Sequence, residues 1–185
     1  MTYFNVFIPI WILFSGLAIK TDVHQDHIIE LPDKEVPASS GNKAPLLSCD
    51  CTITQSGQSF AISALQGTQT AVTFFSPGGG NPNTGLEIQE ALILFLYENV
   101  NTGIISLFLI LDIANDGTGG SLMADVTCLP STAFVSVSDE PGEFSGAPPI
   151  ISGDWNWAPC CTDGGVIEDI GCNNTYINLD LQVGS

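Results

Sequence analysis

Three groups of acidic and amide side chains in this sequence have the chemistry to bind hard metal cations. The first group follows a very apolar run and contains Asp112, Asn115 and Asp116 ahead of several glycines. Carboxylate and amide oxygens are the ligands that Ca2+ prefers, six to eight at a time. The spacing is not that of an EF-hand, because Ala114 and Met123 stand where such a loop needs oxygen ligands. A plain hairpin turn is the alternative interpretation of this segment.

The other two acidic groups lie in later turns. One contains Asp139, Glu140 and Glu143, and the other contains Asp163, with Glu168 and Asp169 farther along. If loops from one end of a domain brought the groups together, their carboxylates would repel one another, and a bound cation would relieve that repulsion. We therefore predict a calcium site whose ligands come from these groups: Asp112, Asn115, Asp116, Asp139 and Asp163.

The charge of the chain limits the chemistry that these acids can join. The sequence has 20 Asp and Glu against 3 Lys and Arg, for a formal net charge of -17, and residues 44–185 contain no Lys, Arg or His. Nucleophiles activated by His or Lys, Schiff bases and phosphate clamps are therefore excluded from this part. Nucleic acids and anionic membranes are also poor partners for it. We predict a protein that is not an enzyme and that binds Ca2+ or a calcium-bearing mineral surface.

The N-terminal part predicts secretion. Residues 1–18 contain no charged side chain, and Gly16 and Ala18 place small residues where a signal peptidase would cut. An uncleaved anchor or a buried N-terminal strand is the alternative. Residues 19–45 mix both charges with turn-forming residues and predict a linker or pro-segment, which leaves residues 46–185 as a single acidic domain. The expected location is extracellular, without membrane attachment once the signal is removed.

Six cysteines behind a predicted signal indicate disulfides. We expect adjacent Cys160 and Cys161 not to bond to each other, which leaves 12 of the 15 possible pairings. Our preferred pairing joins Cys49 and Cys51 to Cys160 and Cys161, and Cys128 to Cys172. The sequon at Asn173 predicts a glycosylated, exposed loop.

Short apolar runs between Gly, Pro, Asn and Asp clusters predict a mainly β domain, an antiparallel β-sandwich or a jelly-roll-like fold. Residues 91–97 and 104–113 are continuously apolar around an Asn101-Thr102-Gly103 turn, which predicts a hairpin buried on both faces. A helix over residues 86–97 is the alternative. The remaining predicted strands are 49–54, 59–64, 71–75, 122–127, 133–138 and 175–183.

The most distinctive string is at residues 153–167, where Trp155 and Trp157 share one face if extended, and Cys160-Cys161 precedes a predicted tight turn at residues 162–165. The tryptophans either pack in the core beside a disulfide or stack on sugars in a carbohydrate-binding or adhesion module. With Asp139-Glu-Pro-Gly-Glu143, this string resembles a pattern in secreted β modules of marine bacteria and invertebrates.

In general type the sequence is similar to acidic extracellular-matrix proteins of invertebrates, including those of mineralised skeletons. That resemblance implies a matrix protein whose partners are calcium, mineral or other matrix proteins. A self-assembling structural protein, in which sheet edges or residues 19–45 join subunits, is the remaining alternative.

Overall fold

The computed structural model describes residues 10–14, 17–21, 51–55, 58–76, 81–171 and 177–184. Within these ranges the chain is mainly β, with one short helix. The N-terminal elements are β1 (Ile10–Phe14), β2 (Leu17–Thr21), β3 (Cys51–Gln55), β4 (Gln58–Ile62), β5 (Leu65–Gly67) and α1 (Ala71–Phe75). The later strands are β6 (Leu92–Asn99), β7 (Ile104–Leu111), β8 (Gly120–Thr127), β9 (Phe134–Ser138), β10 (Phe144–Ala147), β11 (Ile150–Trp157), β12 (Asp163–Glu168) and β13 (Asn178–Gly184).

The strands form two main sheets in which antiparallel pairing dominates. Sheet I has the order β2-β1-β6-β7-β12-β9, with β5 also beside β6, and sheet II has the order β10-β11-β8-β13. The exceptions to antiparallel pairing are β1 and β5, which both run parallel to β6. Strands β3 and β4 pair with each other as a separate hairpin.

One hydrophobic cluster lies between the two sheets. Sheet I contributes side chains such as Leu94 and Leu109, and sheet II contributes Val126, Ile151 and Trp155. The alternation of buried and exposed residues along β11 leaves one face of sheet II in solvent. The same alternation is found in the last strand, where Leu179 and Leu181 pack on this cluster while Asn178, Asp180 and Gln182 are exposed, as the sequence predicts.

The central strands of sheet I are buried on both faces, as predicted for the apolar hairpin. Strands β6 and β7 pair antiparallel around the Asn101-Thr102-Gly103 turn, and most of their side chains are buried while the rest are half-buried. Their outer face carries Phe95, Phe108 and Ile110, which are covered by α1 and by the segment that follows it. The alternative helix over residues 86–97 is therefore wrong, because this segment contains β6 instead.

The strand predicted over residues 71–75 is also wrong, because these residues form α1. The Thr70 side chain caps the helix by accepting a hydrogen bond from the Thr73 amide at 3.2 Å. Ala71 and Phe75, four positions apart, share one helix face and are both buried, while Val72 is exposed. In a strand Thr73 would share the face of Ala71 and Phe75, whereas in this helical turn Thr73 is exposed.

The glycine-rich segment predicted to turn at residues 162–165 is part of strand β12, so that prediction is wrong as well. The glycines are needed for packing rather than for turning. A Cβ atom at Gly165 would lie 2.3 Å from Cδ1 of Phe144, and one at Gly164 would lie 2.3 Å from the Leu109 carbonyl oxygen. A larger side chain at either position would therefore force its neighbours to shift.

The cysteine contacts in the structure differ from the pairing that we expected. The sulfur atoms of Cys160 and Cys161 are in contact, although we expected adjacent cysteines not to pair, and the Cα atoms of the two residues are 3.7 Å apart. Cys128 is exposed and has no cysteine partner among the described residues. Its predicted partner Cys172 lies outside the described residues, as do Cys49 and the sequon at Asn173. The pairing of Cys128 with Cys172 stays a prediction.

The predicted signal segment overlaps two strands. β1 lies before the predicted cleavage point at Ala18, and β2 spans it. Residues 22–50, which include most of the predicted linker, lie outside the described residues. No helix in the described part of the chain is long and apolar enough to cross a membrane.

Candidate cation site

Two of the three acidic groups meet where sheet I approaches sheet II. Strand β9 pairs with β12 so that Ser138 lies opposite Gly165. Because the pair is antiparallel, the residues that follow Ser138 run beside the beginning of β12, which is Asp163. The turn at residues 139–143 then leads into β10 in sheet II. The structure thus brings Asp139, Glu140, Glu143 and Asp163 together, and we call these four residues the acidic cluster.

Hydrogen bonds of Ser138 hold the turn of the acidic cluster in place. The Ser138 hydroxyl donates to the Glu140 carbonyl at 2.6 Å and accepts from the Phe144 amide at 3.1 Å. The Glu143 carbonyl accepts from the Asp154 amide on the neighbouring strand β11 at 2.7 Å. Both ends of the turn are therefore anchored to strands, which fixes the backbone that carries the acids.

Asp163 is the most buried member of the acidic cluster, with a 5% exposed side chain. Burial raises its pKa to about 7, and repulsion from Glu143, Asp139 and Glu140 adds to the shift. A hydrogen bond from the Gly164 amide to Oδ1, at 2.7 Å, opposes the shift by stabilising the charged form. Asp163 therefore takes up a proton near neutral pH unless another cation replaces it.

The same two causes act on the other members of the cluster. Burial raises the pKa of Asp139 to about 6, with repulsion from Glu143 and Glu140 as the second cause. Burial and repulsion from Glu140 also raise the pKa of Glu143, although hydrogen bonds with the Glu140 backbone and with the Asp163 side chain oppose this. Oε2 of Glu143 is buried and has no hydrogen-bond partner in the described structure. A buried carboxylate oxygen without a donor is costly to the fold.

The acidic cluster provides the carboxylate ligands of a calcium site, but its side chains do not yet converge on one point. It offers four carboxyl groups on a fixed backbone, and no Lys, Arg or His is present in residues 44–185 to neutralise them. In the described part of the chain, no three Asp, Glu, His or Cys side chains are already arranged to hold a metal ion. Calcium binding there requires the side chains to turn toward a shared point, with water or backbone oxygens completing the coordination.

Asp112, predicted as a calcium ligand, is instead a buried hydrogen-bond acceptor with only 2% exposure. Its Oδ1 accepts from the amides of Glu90 and Ile113 at 2.8 and 2.9 Å. Its Oδ2 accepts from Nε1 of Trp157 at 2.9 Å and lies 3.2 Å from the Thr118 hydroxyl. Both oxygens are fully occupied, so Asp112 serves the fold at this position.

The neighbouring predicted ligands, Asn115 and Asp116, form a hydrogen-bonded turn. The Asn115 amide donates to the Cys160 carbonyl at 3.2 Å. Asp116 accepts from the Thr118 amide at 2.8 Å and from its hydroxyl at 2.5 Å. Although burial acts in the opposite direction, these hydrogen bonds lower the pKa of Asp116. The hairpin-turn alternative describes this segment better than a calcium loop does.

Trp155 and Trp157, the predicted alternative for carbohydrate binding, are buried between the sheets at 0% and 6% exposure. Trp155 packs against Phe144 with ring centroids 5.0 Å apart and donates from Nε1 to the Gly164 carbonyl at 3.3 Å. Neither ring presents an open face on which a sugar could stack. Both tryptophans therefore pack in the core, which was one of the two interpretations of residues 153–167.

Of the predicted ligands, Asp139 and Asp163 come together, while Asp112, Asn115 and Asp116 form their own hydrogen-bonded group. Sequence reasoning placed Glu143 in an acidic turn but did not single it out as a ligand. Glu143 precedes the core residue Phe144, but no local sequence pattern indicates that its Oε2 is buried. No protein-family model, no curated protein and no solved structure matches this chain.

Proposed function

We propose that the protein is a secreted, non-enzymatic matrix protein that binds Ca2+ at the acidic cluster and associates with calcium-bearing mineral. The observation that carries this proposal is the buried Oε2 of Glu143, which has no hydrogen-bond partner among the described residues and lies among acids whose pKa values are raised. A divalent cation would supply the missing partner and remove the repulsion at the same time.

The secretory part of the proposal rests on the sequence. The uncharged segment 1–18, the six cysteines and the sequon at Asn173 support an extracellular protein. We further propose that the two sheets form a disulfide-containing β-sandwich rather than a jelly roll. The shared core cluster supports the sandwich, and the resemblance of residues 139–165 to secreted β modules is consistent with it.

Calorimetry of the full chain, with and without Ca2+ at fixed ionic strength, tests the calcium site. Extracellular sites bind Ca2+ at about 10⁻⁴ to 10⁻³ M, so a tenfold excess over Kd stabilises the fold by about 1.4 kcal/mol. For a domain of this size that is a rise of roughly 5 °C in Tm. We expect a heat of binding and a Tm rise of this size.

A pair of matched variants shows whether the acidic cluster is the site. Glu143→Gln removes one charge from the cluster, and Glu168→Gln removes one from the other end of β12. We expect the first variant to lose most of the calcium response and the second to keep it. Equal responses in the two variants, or no calcium response in the unmodified protein, would contradict the proposal.

A further inference from the structure

An open cleft of about 450 Å³ lies on the outer face of sheet I, beside α1. It is lined by residues 65–69, by Phe74 of α1 and by Tyr97 of β6. None of these residues is charged, and residues 51–86 contain no Asp, Glu, Lys, Arg or His, although the whole chain has 20 acids. The cleft is therefore an uncharged site in a strongly acidic protein.

The backbone along one side of the cleft is tied to the β6–β7 hairpin. The Gly67 carbonyl accepts a hydrogen bond from the Val100 amide at 2.9 Å. The Thr68 carbonyl accepts a hydrogen bond from Nδ2 of Asn101 at 3.2 Å. These carbonyl groups are satisfied by the hairpin, while the Thr68 side chain is exposed to solvent. This side of the cleft therefore has a fixed backbone.

Two stacked aromatic rings form the apolar part of the cleft. Phe74 is half-buried and stacks on Tyr97, with ring centroids 4.6 Å apart and ring planes 20° from parallel. Tyr97 is buried, and its hydroxyl donates to the Gln69 carbonyl at 3.0 Å. A Cβ atom at Gly67 would clash with this hydroxyl, so glycine leaves room for the hydrogen bond. The rings and the neighbouring backbone thus hold each other in place before any ligand binds, which lowers the cost of binding.

The polar groups of the cleft are the Thr68 hydroxyl and the Gln69 side-chain amide, both of which belong to exposed side chains. Each of these groups can donate and accept hydrogen bonds. Together with the Phe74 ring, they combine an apolar surface with uncharged donors and acceptors. Binding pockets of about 300 to 1,000 Å³ typically combine an apolar lining with a few polar groups in this way.

We propose that this cleft binds a neutral saccharide. A pyranose ring presents C–H groups that pack on an aromatic ring, and hydroxyl groups at its edge that donate and accept hydrogen bonds. Anionic ligands are repelled by a net charge of -17, and residues 44–185 contain no Lys, Arg or His to attract them. Cationic ligands find stronger partners at the acids outside the cleft. The inference goes beyond the proposed function, because it uses no residue of the acidic cluster and does not depend on calcium.

Calorimetric titration of the full chain with cellohexaose, maltohexaose and N-acetylchitohexaose tests the cleft. Gln69→Ala removes the side-chain amide but keeps the backbone carbonyl that holds Tyr97. Gln182→Ala removes the same group from an exposed position on β13 in sheet II and is the matched control. Because a saccharide hydroxyl loses its partner, we expect Gln69→Ala to weaken binding about tenfold. The control should bind like the unmodified protein. Retention on cellulose and chitin powder, measured in parallel, shows whether the saccharide is taken from a solid or from solution.

Charged saccharides separate recognition in the cleft from attraction by net charge. Anionic heparin hexasaccharide should not bind. If the unmodified protein binds none of the three neutral hexasaccharides, or if both variants bind them with equal affinity, the inference is overturned. Binding of cationic chitosan hexamer alone, retained in Gln69→Ala, would assign the interaction to net charge and would also overturn it. The heat of Ca2+ binding should be unchanged in Gln69→Ala, so this inference and the proposed calcium site can fail independently.

Discussion

Replacing Asp163 by Asn should make the protein more stable above neutral pH. Burial and neighbouring acids raise the pKa of Asp163 from 3.8 to about 7, so the folded chain holds a proton that the unfolded chain releases. The resulting stabilisation is complete below pH 4 and is lost as the pH rises through 7. At 1.36 kcal/mol for each pKa unit the full effect is about 4 kcal/mol, and the shared repulsion within the acidic cluster reduces it to about 2 to 4 kcal/mol.

Urea unfolding in EGTA at several pH values between 4 and 8.5 measures this effect. The stability difference between Asp163→Asn and the unmodified protein should grow by about 2 to 4 kcal/mol in favour of the variant across that range. Asp125→Asn, at an exposed site on sheet II, corrects for the general loss of one negative charge. A difference that stays constant from pH 4 to 8.5 would refute the reasoning that Asp163 is protonated in the folded chain.

Three further outcomes follow from the packing and the cysteines. Asp112→Asn should lower the free energy of unfolding in urea by about 2 to 3 kcal/mol, because either orientation of the amide places its NH2 group against other donors; a variant as stable as the unmodified protein would contradict this role. Gly165→Ala should cost about 1 to 3 kcal/mol through its clash with Phe144, while Ser145→Ala on an exposed position stays within about 0.5 kcal/mol. Peptide mapping without reduction should yield a fragment with Cys160 bonded to Cys161, and a bond from either to Cys49 or Cys51 would contradict the structure.

The elements that could be predicted from sequence are those with an unambiguous hydrophobic pattern. The continuous apolar runs around Asn101-Thr102-Gly103 gave the central hairpin and its burial on both faces, because few other arrangements hide so much apolar surface. The alternation after Ile177 gave the last strand and its inward face. In both cases local pattern and long-range packing favour the same conformation.

The elements that the sequence did not predict are those whose backbone conformation is determined by long-range contacts. Residues 72–75 are β-branched or aromatic, yet capping by Thr70 and burial of Ala71 and Phe75 on sheet I favour a helical turn. Gly164 and Gly165 suggest a turn until the backbone and ring that approach them are known. For the candidate site, acidic composition predicted the residue types, but the register of β9 against β12 determines which acids meet.

The position of the central strands has a consequence for how the chain folds during synthesis. β7 pairs with β12, and β8 lies between β11 and β13, so each sheet is completed by strands that come late in the sequence. The apolar β6–β7 hairpin is therefore synthesised well before β11 and β12. Strand β12 pairs with the free edge of β7, and β11 belongs to the sheet that packs against the hairpin. Until then it exposes a broad hydrophobic surface and an unpaired strand edge, both of which promote aggregation. Interruption of synthesis before β12 would leave an incomplete chain that is prone to aggregate through this hairpin.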